Sequence, residues 1–296
     1  MQQSPLHTDR IPVSVIVLTK DEENGLGHTL SRLLDFEQVI VVDSNSSDHT
    51  VKIARDAGAD VVNFSWDGQY PKKKQWALEN AGARHDWVLL LDADEYPGPD
   101  LVDEIRLLVP ELSKQSMAAY DIKLWYKFAG QFLRHGHTVT KRSLLDRRRS
   151  YLPEVNDLDA PGIREVEGHY QPVTTGPIGH LQHRLFHDDR DPVSSWFSRH
   201  NRYSDWEAYL RLNTTTRRNI ASKRTAKGAF FDRVPFKPIV FFAYSYICRF
   251  GWLDGRAGFD YALALSMYYW QIELKFRELQ RGAFIGAKNS EFGAVG

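Results

Sequence analysis

The segment WVLLLDADEYP, residues 87–97, carries an apolar run straight into three carboxylates, Asp92, Asp94 and Glu95. Asp92 and Asp94 are two apart, so an extended backbone turns both side chains to one face. Paired there, they could hold a hard divalent cation such as Mg²⁺ or Mn²⁺, ions that take oxygen ligands and often bridge carboxylates to substrate phosphates. Chance alone supplies an Asp-x-Asp triplet about once in a chain of this length, so the triplet needs its context. The context is an apolar run closed by Pro97-Gly98-Pro99. It reads as a buried parallel-type strand, and the C-terminal edges of such strands are where open α/β sheets bind ligands.

The elements that must position these carboxylates come earlier in the chain. Residues 11–19, IPVSVIVLT, form a β-branched run and predict the first strand, ending in Lys20-Asp21-Glu22-Glu23-Asn24-Gly25. Leu26, Leu30, Leu33 and Leu34 recur at helical spacing, and QVIVV at 38–42 predicts a second strand that ends at Asp43. A helix over 50–57 should close on Gly58, followed by a third strand over 60–64. This βαβαβ order predicts a parallel, doubly wound sheet, which gathers the loops after Thr19, Val42 and Leu91 on one rim. Asp43, the first residue off a buried strand, could accept from a nucleobase N–H or a ribose hydroxyl. Asp48 and Thr50 suit capping of the helix behind them.

Lys72, Lys73 and Lys74 precede a helix expected over 75–83. Cations are misplaced at a helix start unless an anion lies between them and the helix, as a diphosphate would. Lys74 is therefore a candidate phosphate contact, the alternative being a solvated charge run.

Composition bounds the rest. The 296 residues are 42% hydrophobic with net charge +0, so the chain can bury a large core and has no global field to attract nucleic acid. The single cysteine, Cys248, excludes an intramolecular disulfide and fits a reducing compartment. Residues 1–10 are polar and lack the apolar stretch of a signal peptide, which predicts a protein that stays inside the cell.

The strand VSVIVLT with KDEEN, the strand VIVVDSNSSDHT, the segment KKKQWALENA and VLLLDADEYP, in this order and spacing, resemble the nucleotide-sugar-binding half of the family 2 glycosyltransferases. The likeness is nearest to bacterial enzymes that extend lipopolysaccharide cores and related surface glycans, and it is strongest over residues 11–110. The resemblance implies a GT-A fold, a Rossmann-like and mostly parallel α/β sheet flanked by helices. It implies an inverting, metal-dependent transfer from a nucleotide-diphosphate sugar, a UDP-sugar foremost, to a glycan or lipid-linked acceptor. By it, Thr19, Asp21 and Glu22 line the nucleotide pocket, Asp43 contacts the base, Asp92 the ribose or metal, and Asp94 the metal-bound diphosphate. Inversion needs one base, which the family takes from the acceptor half, often from a His-Glu pair. Here Glu167 or Glu165 would fill that position, preceded by Val166 or Arg164 and not by His. Glu167 is preferred because Gly168 permits a tight loop, although period-two alternation over 164–169 equally allows an edge strand with outward glutamates. His187 could be a further metal ligand, a phosphate contact or a structural histidine.

This division gives a catalytic domain over 11–190, with a donor half to 110 and an acceptor half from 111, and a helical C-terminal region over 191–296. An aromatic amphipathic helix is expected over 193–212, its stripe serving packing. Arg217, Arg218, Lys223, Arg224, Lys227, Arg233 and Lys237, opposed only by Asp232, lead into two apolar segments, 238–253 and 257–272. Neither reaches the ~20 apolar residues of a spanning helix. A basic run beside aromatic segments fits peripheral attachment to an anionic membrane surface, at the cytoplasmic face; two buried helices are the alternative. Rival readings are a catalytically inactive glycan-binding scaffold and a nucleotidyltransferase, the latter disfavoured because an acidic loop, and no glycine-rich basic one, follows the first strand.

Overall fold

The computed structural model describes residues 10–114, 116–167, 170–213 and 234–292. The chain forms two compact units. One takes in residues up to 127 with 138–153 and 165–190, and the other takes in 128–137, 154–164 and the chain from 191 onward.

The first unit is an α/β layer structure. In chain order it contains β1 (Ile11–Thr19), α1 (Leu26–Ser31), β2 (Phe36–Asp43), α2 (Thr50–Asp56), β3 (Asp60–Asn63), α3 (Lys73–Asn80), β4 (Trp87–Asp92), β5 (Glu95–Pro97), α4 (Pro99–Ser113) and β6 (Ala119–Phe128). The short strand β7 (Gln131–Leu133) falls in the second unit, and the first resumes with β8 (Thr140–Asp146), β9 (Ser150–Tyr151), β10 (Val173–Thr174) and β11 (Ile178–His187). The sheet runs β3-β2-β1-β4-β8-β6-β11-β5. β1 pairs in parallel with β2 and β4, β2 with β3, and β6 with β11, while β8 and β5 run against their neighbours. Six strands therefore leave at one rim, and β8 and β5 enter there. That rule decides the site, because it brings the first residues of β8 and β5 to the edge where the last residues of β4 and β11 already lie.

β1 is apolar but for Ser14 and Thr19, both buried, because both its faces are covered. Val13, Val15 and Val17 pack in one cluster with Leu26 and Leu30 from α1, Leu33 just past its end, and Leu101, Val102 and Ile105 from α4, while Ile16 is equally buried on the other side. α2 ends as expected, with Gly58 at φ +78, a left-handed position that only glycine takes without strain. α4 starts on Pro99, whose ring presets the helical φ. It continues through Pro110 to Ser113. Leu112 is buried there and its carbonyl accepts the Trp87 indole N–H at 3.1 Å, so packing holds a last turn that a proline would otherwise end.

In the second unit α5 (Val193–Leu212) is followed by α6 (Lys237–Phe242), a π-helical turn over Ala243–Cys248, a 3₁₀ turn over Gly251–Asp254 and α7 (Gly255–Phe292). The α5 stripe is packing, with Trp196, Trp206 and Leu210 buried and the Trp206 indole donating to Asp157 at 2.9 Å. Asp254 ties this unit together by accepting from the backbone N–H groups of Arg134 and His135 at 2.9 and 2.8 Å. The basic run from Arg217 to Arg233 lies outside the described residues. Among the described residues no helix is long and apolar enough to cross a membrane.

Candidate active site

The parallel strands end almost level. Thr19 lies opposite Asp43 and Asp43 opposite Asn63, while Asp92 lies one step earlier, opposite Leu18. Asp43 is 1% exposed and accepts from the Thr19 hydroxyl at 2.9 Å, the Ser46 hydroxyl at 2.5 Å and the Ser46 N–H at 2.8 Å. A carboxylate has about four acceptor sites. Three are thus used to fix Asp43 as a rigid floor.

The loops after β1 and β2 brace each other. Asp21, at φ +55, accepts from the Ser47 N–H at 2.7 Å, and the Glu22 N–H donates to the Thr50 hydroxyl at 2.7 Å. Asp48 accepts the Thr50 N–H at the start of α2 and the Glu23 N–H from the other loop, so it both caps and braces.

An anion does sit at the start of α3, and it belongs to the chain. The Glu167 carboxylate, 6% exposed, accepts the N–H groups of Lys74 and Gln75, each at 2.8 Å. Burial pushes the Glu167 pKa up, against the pull of these N–H groups and of Lys74. Both oxygens of the residue preferred as base are therefore occupied by capping, and residues 163–167 form no strand; Gly168 and His169 lie outside the described residues. Glu165 stands differently. Its carboxylate is 20% exposed and lies 3.7 Å from the Lys73 ammonium.

Lys73 was hidden in the triplet of lysines. Its side chain is 2% exposed and donates to the Thr19 carbonyl at 2.6 Å, tying α3 to the end of β1. Burial pushes its pKa down to about 8, against the pull of Glu165 and Asp43. The unfolded chain then binds the proton more tightly than the folded one between pH 8 and about 10.5, so this group makes stability rise with pH across that window. In Lys73→Met the rise should disappear. The check is the denaturation midpoint of both proteins from pH 7 to 10.5, read as their difference.

The acidic cluster is tied by two lysines and one histidine ring. Lys141, second residue of β8, donates to Asp92 at 2.8 Å and to Glu95 at 2.5 Å. Lys74 lies 3.8 Å from the other Asp92 oxygen. Burial raises the Asp92 pKa, but Lys141 and Lys74 outweigh it and hold the carboxyl well below the usual range. Asp94 has no such partner. Burial, with Glu95 and Asp92 nearby, pushes it up to about 6, opposed by His187. The His187 ring, last residue of β11, has Nε2 3.3 Å from Asp94 and Nδ1 3.5 Å from Glu95, and stacks on Tyr126 at 4.5 Å. Burial alone would lower it, but Asp94 and Glu95 hold it at about 9.

A divalent cation fits this pair. A carboxylate oxygen and an imidazole nitrogen 3.3 Å apart are close to the ~3 Å that adjacent ligands at about 2.1 Å subtend. Nδ1 lies 3.5 Å from Glu95, where an outer carboxylate orients a metal-binding histidine and leaves Nε2 to the ion. Among the described residues no third His, Cys, Asp or Glu converges on the pair as a metal site, which leaves the remaining positions to oxygens of a substrate or water.

Asp92, Asp94, His187 and Lys74 thus come together, as do Thr19, Asp43, Lys73 and Glu165. Sequence reasoning passed over Glu95, Lys73 and Lys141. Glu95 adjoins the Asp-x-Asp triplet and could have been weighed with it, whereas nothing in the sequence marks Lys141, which reaches the rim only because β8 is antiparallel.

A mostly parallel α/β sheet gathers carboxylates at its exit rim, and residues 14–162 match glycosyl transferase family 2. The chain belongs to that family. A glycosyltransferase of Rickettsia typhi (strain ATCC VR-144 / Wilmington) is 35% identical over 119 residues, 40% of each chain, so the match spans about two fifths of that relative. The lipopolysaccharide core biosynthesis glycosyltransferase LpsC of Rhizobium meliloti (strain 1021) is 26% identical over 273 residues, 88% of this chain and 89% of the relative. Among solved structures, glucosyl-3-phosphoglycerate synthase of Mycobacterium tuberculosis, crystallised with Mn²⁺, UDP and glucosyl-3-phosphoglycerate, aligns with a TM-score of 0.30 and 26% identity over 39% of this chain and 44% of that one.

Proposed function

We propose that this chain is an inverting glycosyltransferase that moves a sugar from a nucleotide diphosphate, a UDP-sugar foremost, onto a glycan or lipid-linked acceptor in lipopolysaccharide or surface-polysaccharide assembly. The observation that carries the reading is the Asp94–His187 pair on the same rim as the Thr19–Asp43 floor. The similarity to LpsC across most of both chains supports the acceptor class.

The reaction breaks the bond between the anomeric carbon and the diphosphate oxygen while an acceptor hydroxyl attacks from the opposite side. Negative charge grows on the leaving diphosphate. A Mg²⁺ or Mn²⁺ ion held by Asp94 and His187 would supply the counter-charge. The protein's own groups do the rest. Asp43, fixed by Thr19 and Ser46, and the braced Asp21–Glu22 loop form the wall against which base and ribose rest; Asp92 offers a carboxylate oxygen to a ribose hydroxyl, and Lys74 reaches the phosphates. Glu165 takes the acceptor proton, a revision from Glu167, whose oxygens are committed to α3. A single displacement needs only that one base.

The test is a thermal-shift titration with UDP, GDP, dTDP and CDP, each with and without Mn²⁺. A ligand that binds the native state raises its apparent stability by mass action, about 2.7 kcal/mol at a hundredfold excess over Kd. The expected result is a concentration-dependent, metal-requiring shift with UDP. No shift with any diphosphate would favour the scaffold reading.

We also propose a cytoplasmic protein docked peripherally on an anionic membrane surface. Phe236, Ile239, Ile247, Phe250 and Trp252 are exposed, and on α7 Leu263, Met267, Trp270 and Leu274 recur on one exposed face. Such faces insert shallowly into the headgroup region. Sedimentation with anionic and with neutral vesicles at low salt should pellet the protein with the anionic ones; recovery in the supernatant from both would remove the proposal.

A further inference from the structure

We propose that Lys141 is a positioning residue, a cation built into the sheet that occupies Asp92 and Glu95, keeps Asp92 from ligating a divalent ion, and so reserves that ion for Asp94 and His187. The inference rests on the donor-site reading above.

The geometry is a linear chain of contacts. Lys141 Nζ donates to Asp92 Oδ2 at 2.8 Å and to Glu95 Oε2 at 2.5 Å. The same Glu95 oxygen accepts the Asp92 N–H at 3.1 Å, which fixes the turn between β4 and β5. The other Glu95 oxygen lies 3.5 Å from His187 Nδ1, and His187 Nε2 lies 3.3 Å from Asp94 Oδ2. Three carboxylates within four residues would repel one another, and Glu95 is 1% exposed. A buried carboxylate needs a paired charge. Lys141 supplies it without any ion from solution, and its position follows from topology. Lys141 pairs with Ile122 at the entry end of antiparallel β8, at the rim where β4 leaves.

Two consequences separate the two aspartates. Asp92 carries an ammonium on each side, Lys141 on one oxygen and Lys74 at 3.8 Å from the other, so a metal ion there would have to displace a charge of its own sign. Asp94 lies 3.3 Å from His187 Nε2, a ring nitrogen of the type that ligates metal ions, whereas an ammonium has no lone pair to offer one. A lysine ammonium is a compact point charge on a flexible stem, suited to bridging two carboxylates at short range.

The experiment is Mn²⁺ binding to the full chain without nucleotide, followed by the loss of the free-ion EPR signal. The wild type should bind one ion, Asp94→Asn should lose it, and Asp92→Asn should stay within about twofold of wild type. Lys141→Met keeps the stem and removes the charge. It leaves the charges of Asp92 and Glu95 unbalanced beside the Asp94–His187 pair, so Mn²⁺ should bind about tenfold tighter or more, the affinity following the negative charge around the ion. Lys141→Arg should restore wild-type binding. In the Lys141→Met, Asp92→Asn double variant the gain should vanish, which isolates the pair. Wild-type affinity in Lys141→Met, or an Asp92→Asn loss as large as that of Asp94→Asn, would overturn the inference while leaving the metal site standing. If Lys141→Met does not fold, the Asp92→Asn against Asp94→Asn comparison decides alone. If the wild type binds no Mn²⁺ alone, the same series is run with UDP present; no Mn²⁺ binding there either removes the donor-site reading and this inference with it.

Discussion

Asp94→Ala is expected to reduce sugar transfer by roughly a thousandfold or more, about 4 kcal/mol of transition-state stabilisation, with little change in the fold. The size follows from where charge develops. In the proposed reaction the diphosphate leaves carrying negative charge, and Asp94 and His187 would hold the balancing cation. The fold should tolerate the change because Asp94 is held ionised against burial and against its carboxylate neighbours, which is why its pKa is pushed up to about 6. Steady-state transfer with saturating Mn²⁺, measured beside a thermal melt, checks both halves. Full activity in the variant would show that Asp94 holds no catalytic ion.

Glu165→Gln and Glu167→Gln should part company. Glutamine keeps the shape of glutamate but cannot take the acceptor proton, so Glu165→Gln should lower turnover by about 10²- to 10⁴-fold at nearly unchanged stability. In Glu167→Gln one carboxylate oxygen becomes an NH₂ that must face a backbone donor. One of the two 2.8 Å bonds to the start of α3 is lost. A buried, charge-assisted cap of this kind contributes on the order of 1–3 kcal/mol, so the melting midpoint should fall while turnover of the folded fraction stays within a few-fold of wild type. The opposite pattern, loss of turnover without loss of stability in Glu167→Gln, would return the base to Glu167.

The two glutamates also mark where sequence reading stops. Over 164–169 the alternation allowed either an edge strand or a base loop, because period two reports only which positions share a face. What the loop does is decided by a contact between Glu167 and residues 74 and 75, some ninety positions earlier. The lysine triplet behaved in the same way. A cation cluster at a helix start signalled an anion, correctly, but the anion is Glu167, and the lysine buried against Thr19 is Lys73. In the C-terminal region the aromatic stripe of α5 was legible as packing because its spacing is intrinsic to the helix, whereas the apolar segment 238–253, for which a buried helix was the alternative to membrane contact, divides into α6, a π-helical turn and a 3₁₀ turn.

The sequence by itself determined the βαβαβ order and the strands that carry Thr19, Asp43 and Asp92, because apolar periodicity, glycine stops and strand-end acids are local properties; the glycosyltransferase family came from the resemblance of four segments to that family. The tertiary structure decided which charges meet. Asp92 and Lys141 are forty-nine residues apart, and Asp94, in the turn between β4 and β5, meets His187 at the end of β11, the strand that pairs with β5. Neither pairing has a sequence period. Both follow from strand direction: parallel strands deliver their last residues to the rim and antiparallel strands their first, and only the folded sheet fixes which strand runs which way.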